Sequence, residues 1–482
     1  MKEARPGHRS EGIYERGAGV RLRRTAYGGA AFLIEHFATV ELDEEAFAVL
    51  CWLSFPMTTR ELRRRFIERF ARNVTLTEID CTVNQLKDFG FVSLGQGGMA
   101  HQSFSGLLEG VALEKDSPQE VQDSVISHAT RTVLRESQNH FGSAFFSAHS
   151  EPELVPIAPE SVHLQLNNVC NLRCPSCYVT LQNEDYGSLP LDRWITLVDE
   201  MADMGVFQLA LGGGEPLMSR NFVPIVQQSR RRGLLPNVTT NGHLLTEQLL
   251  TQIRGLIGEV RLSFNDGATV NRRLLAEKSA LLKAWNVQFG YNVVATHRNV
   301  SQIEEILQEL LELQPHSITL LRPKPAPFNE RWYAANALSQ QDSMLLTEQL
   351  RRLEPLFVDT MLTVDCAFSY LFHGLSDEEL IRRGVAGCAM GERFVVVAWN
   401  GDVYPCSHVR GQEYKMGNVK EQRFQAICET CYAFTDTLAD RRCLEENCSS
   451  SARRKFCGGC PAIASHASGS ALTLDTHRQF TE

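Results

Sequence analysis

Residues 162–178 read VHLQLNNVCNLRCPSCY, and this stretch decides the fold class of the larger part of the chain. Apolar and polar residues alternate over positions 162–166, which is the pattern of a strand. Three cysteines follow at positions 170, 174 and 177, in a loop directly after that strand. Because functional loops of parallel α/β folds stand at the carboxyl ends of strands, this order predicts a functional site at such an end.

The strand pattern returns five times before residue 330, and amphipathic helical stretches separate the repeats. The further predicted strands are 207–211, 237–240, 260–264, 288–295 and 318–321. The predicted helices are 192–204, 222–232, 247–257, 272–285 and 302–313. Regular alternation of this kind predicts an α/β fold with a parallel sheet, open or partly barrel-like.

The composition is that of a globular protein, except for its cysteines. The chain has 482 residues, a formal net charge of -9 and 14 cysteines. An acidic balance argues against nucleic acid or an anionic membrane as a partner. We find no signal-peptide core and no apolar run of about 20 residues, so we expect a cytoplasmic protein without a membrane span. Clustered cysteines in that compartment indicate metal ligands rather than disulfides.

The CxxxCxxC spacing of Cys170, Cys174 and Cys177 has a specific chemical meaning. Three thiolates in a tight loop can bind three irons of a 4Fe–4S cluster and leave the fourth iron open. A structural zinc ion would need a fourth protein ligand. His163 is a conceivable one, although it lies on the strand.

Glycines and small polar residues end the next strands. Residues 212–216 read GGGEP, in which glycines let a ligand approach the backbone and Glu215 offers a carboxylate to an amine. Asn241 follows the third strand, and Ser263 stands at the end of the fourth. Taken singly, each of these could be turn chemistry.

With these motifs in place, residues 155–330 resemble the core of radical S-adenosylmethionine (radical SAM) enzymes, a partial (βα)6 barrel. The resemblance implies that Cys170, Cys174 and Cys177 hold one radical SAM 4Fe–4S cluster. It also implies that a 5′-deoxyadenosyl radical removes a hydrogen atom from an unactivated carbon. Ser176 departs from the family pattern, which has an aromatic residue there.

The same resemblance implies which residues bind S-adenosylmethionine. Gly213, Gly214 and Glu215 match the motif that meets the amino group of its methionine half. Asn241 and Ser263 match, by position, the polar residues that reach its ribose or carboxylate.

A second group of cysteines lies in residues 386–482. Cys388, Gly401 and Cys406 form a CxnGx4C pattern, and the group closes on Cys457-Gly-Gly-Cys460. This resembles the SPASM extension of radical enzymes, which implies one or two auxiliary iron–sulfur clusters. The predicted ligands are Cys388, Cys406, Cys428, Cys431, Cys443, Cys448, Cys457 and Cys460. Asp475 could replace a cysteine, and zinc knuckles are the alternative.

Three other cysteines are predicted to be packed rather than to bind metal. Cys51 and Cys81 lie on apolar helical stretches, and Cys366 lies at the end of a buried strand. A packed thiol behaves as a small apolar side chain.

Residues 1–95 form a predicted winged-helix-like α+β domain. Three short strands fall within residues 19–42, and three helices follow up to residue 89. The segment resembles the precursor-recognition chaperone of pyrroloquinoline quinone biosynthesis, which implies that a leader peptide binds residues 16–95. Residues 96–154 are a predicted linker with some helix at 120–137, and residues 331–385 a connecting helical region.

Together these parts predict an enzyme that installs an oxidative modification, above all a side-chain cross-link, in a ribosomal precursor peptide. The same scaffold could decarboxylate or epimerise a peptide, or oxidise a serine or cysteine of a folded protein. The non-enzymatic alternative is a zinc-binding peptide chaperone, and a DNA-binding regulator fits the acidic charge poorly. An external electron donor such as flavodoxin or ferredoxin is expected. No side chain is predicted as the catalytic acid or base.

Overall fold

Two units make up the described part of the chain. The computed structural model describes residues 13–94, 158–264, 272–372, 388–429 and 459–468, with gaps at 17–19, 26–27, 34–37, 54–56, 72, 89–90, 180, 183, 185–186, 327 and 392. Residues 13–94 belong to one unit, and the chain from residue 158 onward belongs to the other. The predicted linker at 96–154 and its helix lie outside the described residues.

The smaller unit combines two three-stranded sheets with three helices. Its elements are β1 (Ile13–Arg16), β2 (Val20–Thr25), β3 (Gly28–Leu33), β4 (Ala38–Asp43), α1 (Glu44–Trp52), β5 (Met57–Thr58), α2 (Thr59–Phe70), α3 (Leu76–Asp88) and β6 (Val92–Leu94). The three predicted strands form the antiparallel sheet β2-β3-β4, and the three predicted helices are confirmed. The second sheet, β5-β1-β6, is an addition to the prediction.

Local sequence explains the helices of this unit. Thr58 caps α2 in a reciprocal capping box with Glu61, so the first backbone donors of the helix are satisfied. Ile79 and Val83 of α3 are fully buried. Cys81 lies between them in sequence and is exposed, so its predicted burial is wrong. Residues two apart on a helix point in different directions, which is the reason. The side chain of Cys51 lies outside the described residues.

The larger unit is an α/β fold, as predicted. Its strands are β7 (Ser161–Gln165), β8 (Gln208–Gly212), β9 (Leu235–Thr240), β10 (Val260–Phe264), β11 (Phe289–Val294), β12 (Ser317–Leu321), β13 (Met361–Val364), β14 (Phe394–Val397), β15 (Asp402–Tyr404) and β16 (Gly417–Asn418). Its helices are α4 (Leu191–Asp203), α5 (Phe222–Arg231), α6 (Glu247–Ile253), α7 (Arg272–Ala284), α8 (Ile303–Glu312), α9 (Glu330–Asn336), α10 (Gln340–Leu353) and α11 (Pro461–Ser468). All six predicted strands and all five predicted helices are present.

One sheet carries all the strands of this unit, in the order β13-β12-β11-β10-β9-β8-β7-β14-β15-β16. The strands from β7 to β13 are parallel to their neighbours, and β14 is parallel to β7. The strand expected just before Cys366 is β13, which adds a seventh parallel strand. The hairpin of β14 and β15 extends the opposite side of β7, so later parts of the chain flank the predicted core strands on both sides.

Burial alternates along the strands and separates two faces. On β10, Val260, Leu262 and Phe264 are buried in the main apolar core, whereas Arg261 and Ser263 between them are partly exposed. The loops that follow β7, β8, β9, β12 and β13 leave the same carboxyl edge of the sheet. This edge therefore brings together segments that are far apart in sequence.

No helix among the described residues is long and apolar enough to span a membrane.

Candidate functional site

The cysteine loop after β7 and the GGGEP segment after β8 are joined by main-chain hydrogen bonds. The amide of Gly214 donates to the carbonyl of Asn167 at 2.9 Å, and the amide of Glu215 donates to that of Val169 at 2.8 Å. Val169 immediately precedes Cys170. The two predicted motifs therefore form one structural unit at the edge of the sheet.

Close approach of these segments explains two of the glycines. A Cβ on Gly213 would lie 2.6 Å from the carbonyl oxygen of Asn167, and Gly213 has a φ of +130°. A Cβ on Gly214 would lie 1.9 Å from the carbonyl oxygen of Val169. Neither contact leaves room for a side chain. The need for glycine here comes from the chain's own packing, in addition to any ligand.

Glu215 organises the carboxyl end of β9. Its carboxylate accepts hydrogen bonds from Thr240 Oγ1 at 2.7 Å, the Asn241 amide at 3.0 Å and the Leu217 amide at 3.1 Å. The residue is 1% exposed, and burial raises the pKa of its carboxyl group. Because a carboxylate has about four acceptor positions, these three donors leave capacity for one more, such as an amine.

Asn241 and Ser263 stand beside one another at the same edge. Leu262 of β10 pairs with Thr240 of β9. Ser263 and Asn241 are the residues that follow this pair. The side chain of Asn241 donates to Asn171 Oδ1 at 2.8 Å and lies 3.8 Å from the Sγ of Cys170. The structure therefore brings Asn241 to the cysteine loop.

The thiols of the cysteine loop lie close enough to affect one another. Burial raises the pKa of Cys170 and of Cys177. The charges of Cys174 and Cys170 raise the pKa of Cys177 further, because like charges disfavour one another. Bound iron would reverse this tendency, since a metal deprotonates the thiol that coordinates it.

A second group of thiols brings Cys366, which follows β13, near Cys388, Cys406 and Cys460. A hydrogen bond with Cys388 raises the pKa of the Cys366 thiol. Burial, together with the neighbouring Cys460 and Cys366, raises the pKa of Cys406 to about 12. Cys388, Cys406 and Cys460 also share a small apolar cluster that is separate from the main core.

Cys366 corrects a prediction. It was expected to be a packed core thiol, but it is exposed and stands against three other cysteines. The local sequence does not reveal the partners of Cys366, because Cys388, Cys406 and Cys460 are distant from it in sequence and come near it only in the folded chain. Its place directly after a strand was the one available signal.

Polar and aromatic side chains lie close to cysteines of both thiol groups. Tyr178, next to Cys177, stacks on His408 with ring centroids 4.5 Å apart. Lys324 donates to Asp365 in an ion pair whose side chains are 10% and 7% exposed. The prediction identified none of these contacts, all of which join residues distant in sequence.

Arg410 belongs to the same set of side chains. Its Nε donates to the carbonyl of Ser407 at 2.6 Å, and its guanidinium lies 5.8 Å from the ring centre of Tyr404. Ser407 Oγ is in turn 2.8 Å from Nδ1 of His163. His163, considered as a zinc ligand, is thus engaged by the hairpin, and burial lowers its pKa to about 3.

The other predicted ligands divide between the core and the undescribed segments. Cys428 is buried in the main apolar core. Cys431, Cys443, Cys448, Cys457 and Asp475 lie outside the described residues.

The arrangement of ligands also bears on the zinc alternative. Within the described ranges, no three cysteines, histidines or carboxylates gather tightly enough to bind a single metal ion. A zinc ion would hold its thiolates about 2.3 Å from one point.

Comparison with known families agrees with this geometry. Residues 164–279 match the family model described as the Radical SAM superfamily. Residues 388–461 match the model of SPASM, an iron–sulfur cluster-binding domain. The chain is a radical SAM enzyme with a SPASM domain. Domains of these two kinds bind S-adenosylmethionine with a 4Fe–4S cluster and auxiliary iron–sulfur clusters, respectively.

Curated relatives of this radical SAM enzyme catalyse two different reactions. It is 28% identical over 343 residues to the AdoMet-dependent heme synthase of Methanosarcina barkeri, covering 65% of this chain and 95% of that protein. It is 26% identical over 341 residues to the PqqA peptide cyclase of Xanthomonas oryzae pv. oryzae, covering 66% of this chain and 87% of that protein.

Solved structures match a longer part of the radical SAM enzyme. Streptococcus suis SuiB bound to S-adenosylmethionine has a TM-score of 0.64 at 16% identity, covering 95% of this chain and 98% of that chain. SuiB bound to precursor peptide SuiA has a TM-score of 0.63 at 16% identity, covering 96% and 98%. At this identity the likeness shows a shared fold.

Proposed function

We propose that this radical SAM enzyme installs an oxidative modification, most simply a side-chain cross-link, in a ribosomally made precursor peptide. The observation that carries the proposal is the presence of two thiol groups near one another, with Tyr178 of the Tyr178–His408 contact close to a cysteine of each group. A cross-link forms with the loss of two hydrogen atoms from the peptide. A second metal site gives the enzyme a place to receive the electron that this oxidation releases.

We assign the ligands as follows. Cys170, Cys174 and Cys177 would hold the radical SAM cluster. Cys366, Cys388, Cys406 and Cys460 would hold an auxiliary cluster, since four thiolates complete the ligand set of a 4Fe–4S group. When bound, S-adenosylmethionine and the first cluster supply the radical that removes a hydrogen atom.

The chain's own residues would orient S-adenosylmethionine. The remaining acceptor position of Glu215 suits the amino group of the methionine half. Asn241 stands beside Cys170 and can orient a ligand next to the loop. Gly213 and Gly214 keep the backbone of this edge clear of side chains, and Ser263 supplies a hydroxyl on the neighbouring strand.

The smaller unit supports a peptide substrate. In the order β2-β3-β4, the outer edges of β2 and β4 pair with no further strand among the described residues. An open strand edge can bind an extended peptide through main-chain hydrogen bonds. SuiB, whose fold matches almost the whole of this chain, has been solved with a precursor peptide. We therefore place leader binding on residues 16–95.

Two further assignments complete the proposal. Reduction of the radical SAM cluster would come from an external donor such as flavodoxin or ferredoxin. We assign the enzyme to the cytoplasm, because its metal ligands must stay reduced.

The proposal is tested by anaerobic reconstitution with a precursor peptide encoded beside the gene. High-resolution mass spectrometry should show a peptide that has lost two hydrogen atoms, together with 5′-deoxyadenosine. Cys174→Ala should form neither product. Unchanged precursor in the presence of continued S-adenosylmethionine cleavage would reject the peptide as substrate. Loss of carbon dioxide, or a change of configuration without mass change, would instead establish decarboxylation or epimerisation.

A further inference from the structure

A short proline-containing loop connects β12 to α9 and contacts residues next to cysteines of both thiol groups. We call residues 322–326 and 328–329 the spacer loop; its first part reads RPKPA. Proline fixes its own φ and restricts the residue before it to extended conformations. With Pro323 and Pro325 both buried, this first part is stiff.

One end of the spacer loop fixes the chain on both sides of Cys366. Arg322 Nη1 donates to the carbonyl of Ala367 at 3.0 Å, and Lys324 forms the buried ion pair with Asp365. Asp365 Oδ1 also accepts the amide of Ala367 at 2.9 Å. Cys366 therefore stands between two residues that the spacer loop contacts directly.

The other end fixes the radical SAM cysteine loop. Asn329 is 2% exposed, and its Nδ2 donates to the carbonyl of Ser176, between Cys174 and Cys177, at 3.3 Å. The same Nδ2 lies 3.2 Å from the carbonyl of Lys324, and Oδ1 accepts the amide of Ala326 at 2.7 Å. One buried side chain thus links the cysteine loop to the part of the spacer loop that contacts Asp365.

We propose that the spacer loop holds Cys366 and the Cys174–Cys177 segment at a fixed separation, with Asn329 as the positioning residue. This deepens the proposed function, since it concerns the relative placement of its two metal sites. Mutation of residues that orient metal ligands without binding the metal commonly lowers metal affinity or activity 10- to 100-fold. A displacement of reacting groups by about 1 Å can lower the reaction rate by a similar factor.

Asn329→Asp tests the contact with little change in shape. The carboxylate can still accept from Ala326, but it cannot donate to Ser176 or Lys324. Asn336→Asp is the matched control. Asn336 is also 2% exposed, and its Nδ2 donates at 2.7 Å to the carbonyl of Trp332 within the next helix. Asn329→Ala replaces the test variant if the buried carboxylate prevents folding.

Two measurements on reconstituted enzyme separate positioning from general stability. Electron paramagnetic resonance of the dithionite-reduced protein reports the magnetic interaction between the metal sites. Product analysis gives the 5′-deoxyadenosine formed per modified peptide. For Asn329→Asp we expect normal iron content, a weaker magnetic interaction and at least about a tenfold rise in 5′-deoxyadenosine per product. Asn336→Asp should resemble the wild type.

A magnetic interaction and product ratio equal to wild type in Asn329→Asp would overturn the proposal, as would equal changes in both variants. The magnetic measurement needs no peptide. If the wild type modified no peptide, the proposed function would fail while the spacer loop could still be tested.

Discussion

Tyr178 and His408 stack with their ring centroids 4.5 Å apart and an angle of 42° between the planes. Tyr178 adjoins Cys177, and His408 lies two residues after Cys406, so this single contact joins the loops of the two thiol groups. The radical SAM family pattern has an aromatic residue directly before the third cysteine. Here Ser176 occupies that position, and the aromatic ring that follows Cys177 packs towards the hairpin instead.

Removing the Tyr178 ring should loosen the junction between the loops. For Tyr178→Ala we expect a loss of about 2 kcal/mol in stability, because a partly buried aromatic contact is lost. Tyr178→Phe keeps the stack and should stay within about 0.5 kcal/mol of wild type. Thermal denaturation under anaerobic conditions measures both. Equal melting temperatures for Tyr178→Ala and wild type would show that the contact contributes nothing.

Replacing Cys366 should empty one metal site and spare the other. We expect Cys366→Ala to lose the iron and sulfide of one cluster, since one of four thiolates is gone. Cleavage of S-adenosylmethionine without peptide should continue, because Cys170, Cys174 and Cys177 are intact. Cys81→Ala, which alters an exposed cysteine of the smaller unit, is the control. Full iron content in Cys366→Ala would contradict the ligand assignment.

A methyl group on Gly214 should displace the radical SAM cysteine loop. The new Cβ would lie 1.9 Å from the Val169 carbonyl oxygen, so the segment leading to Cys170 must move. We expect a cost of about 3 kcal/mol or more and loss of S-adenosylmethionine cleavage. At Gly255, φ is +72° and nothing lies within 4 Å of the added Cβ. Gly255→Ala should therefore cost only about 1–2 kcal/mol and leave cleavage intact. Active, fully iron-loaded Gly214→Ala enzyme would refute this account.

Deleting residues 1–95 should separate cofactor chemistry from peptide recognition. The larger unit has its own core and contains both thiol groups, so its S-adenosylmethionine cleavage should persist. Modification of full-length precursor should fall strongly, because the proposed leader site is gone. A truncated enzyme that modifies precursor as fast as the intact one would rule out leader binding on this unit.

Local sequence was sufficient for the core strands and for the position of the cysteine loop after the first of them. Predicted strand 260–264 agrees with β10, and predicted strand 318–321 differs from β12 by one residue. Apolar residues recur regularly in these strands, and the three cysteines of the CxxxCxxC motif lie within eight residues of one another. The neighbouring glycines were also identified, but their contact with Asn167 and Val169 required the folded chain.

The second thiol group shows what local sequence could not give. Cys366 follows β13, whereas Cys388 and Cys406 flank the β14–β15 hairpin, and six strands lie between β13 and β14 in the sheet order, so no local pattern links these cysteines. His408 meets Tyr178 across 230 positions of sequence, so no periodicity in either segment signals the contact. Cys81 illustrates a smaller error, in which an apolar helical stretch was taken as evidence that every residue in it is buried.

The most direct test of the account follows deuterium from the peptide to the cofactor. A precursor peptide with deuterated core side chains is incubated anaerobically with enzyme, reductant and S-adenosylmethionine, and the 5′-deoxyadenosine is analysed by mass spectrometry. We predict deuterium in 5′-deoxyadenosine in proportion to modified peptide. Modified peptide accompanied by unlabelled 5′-deoxyadenosine would contradict hydrogen abstraction from the precursor.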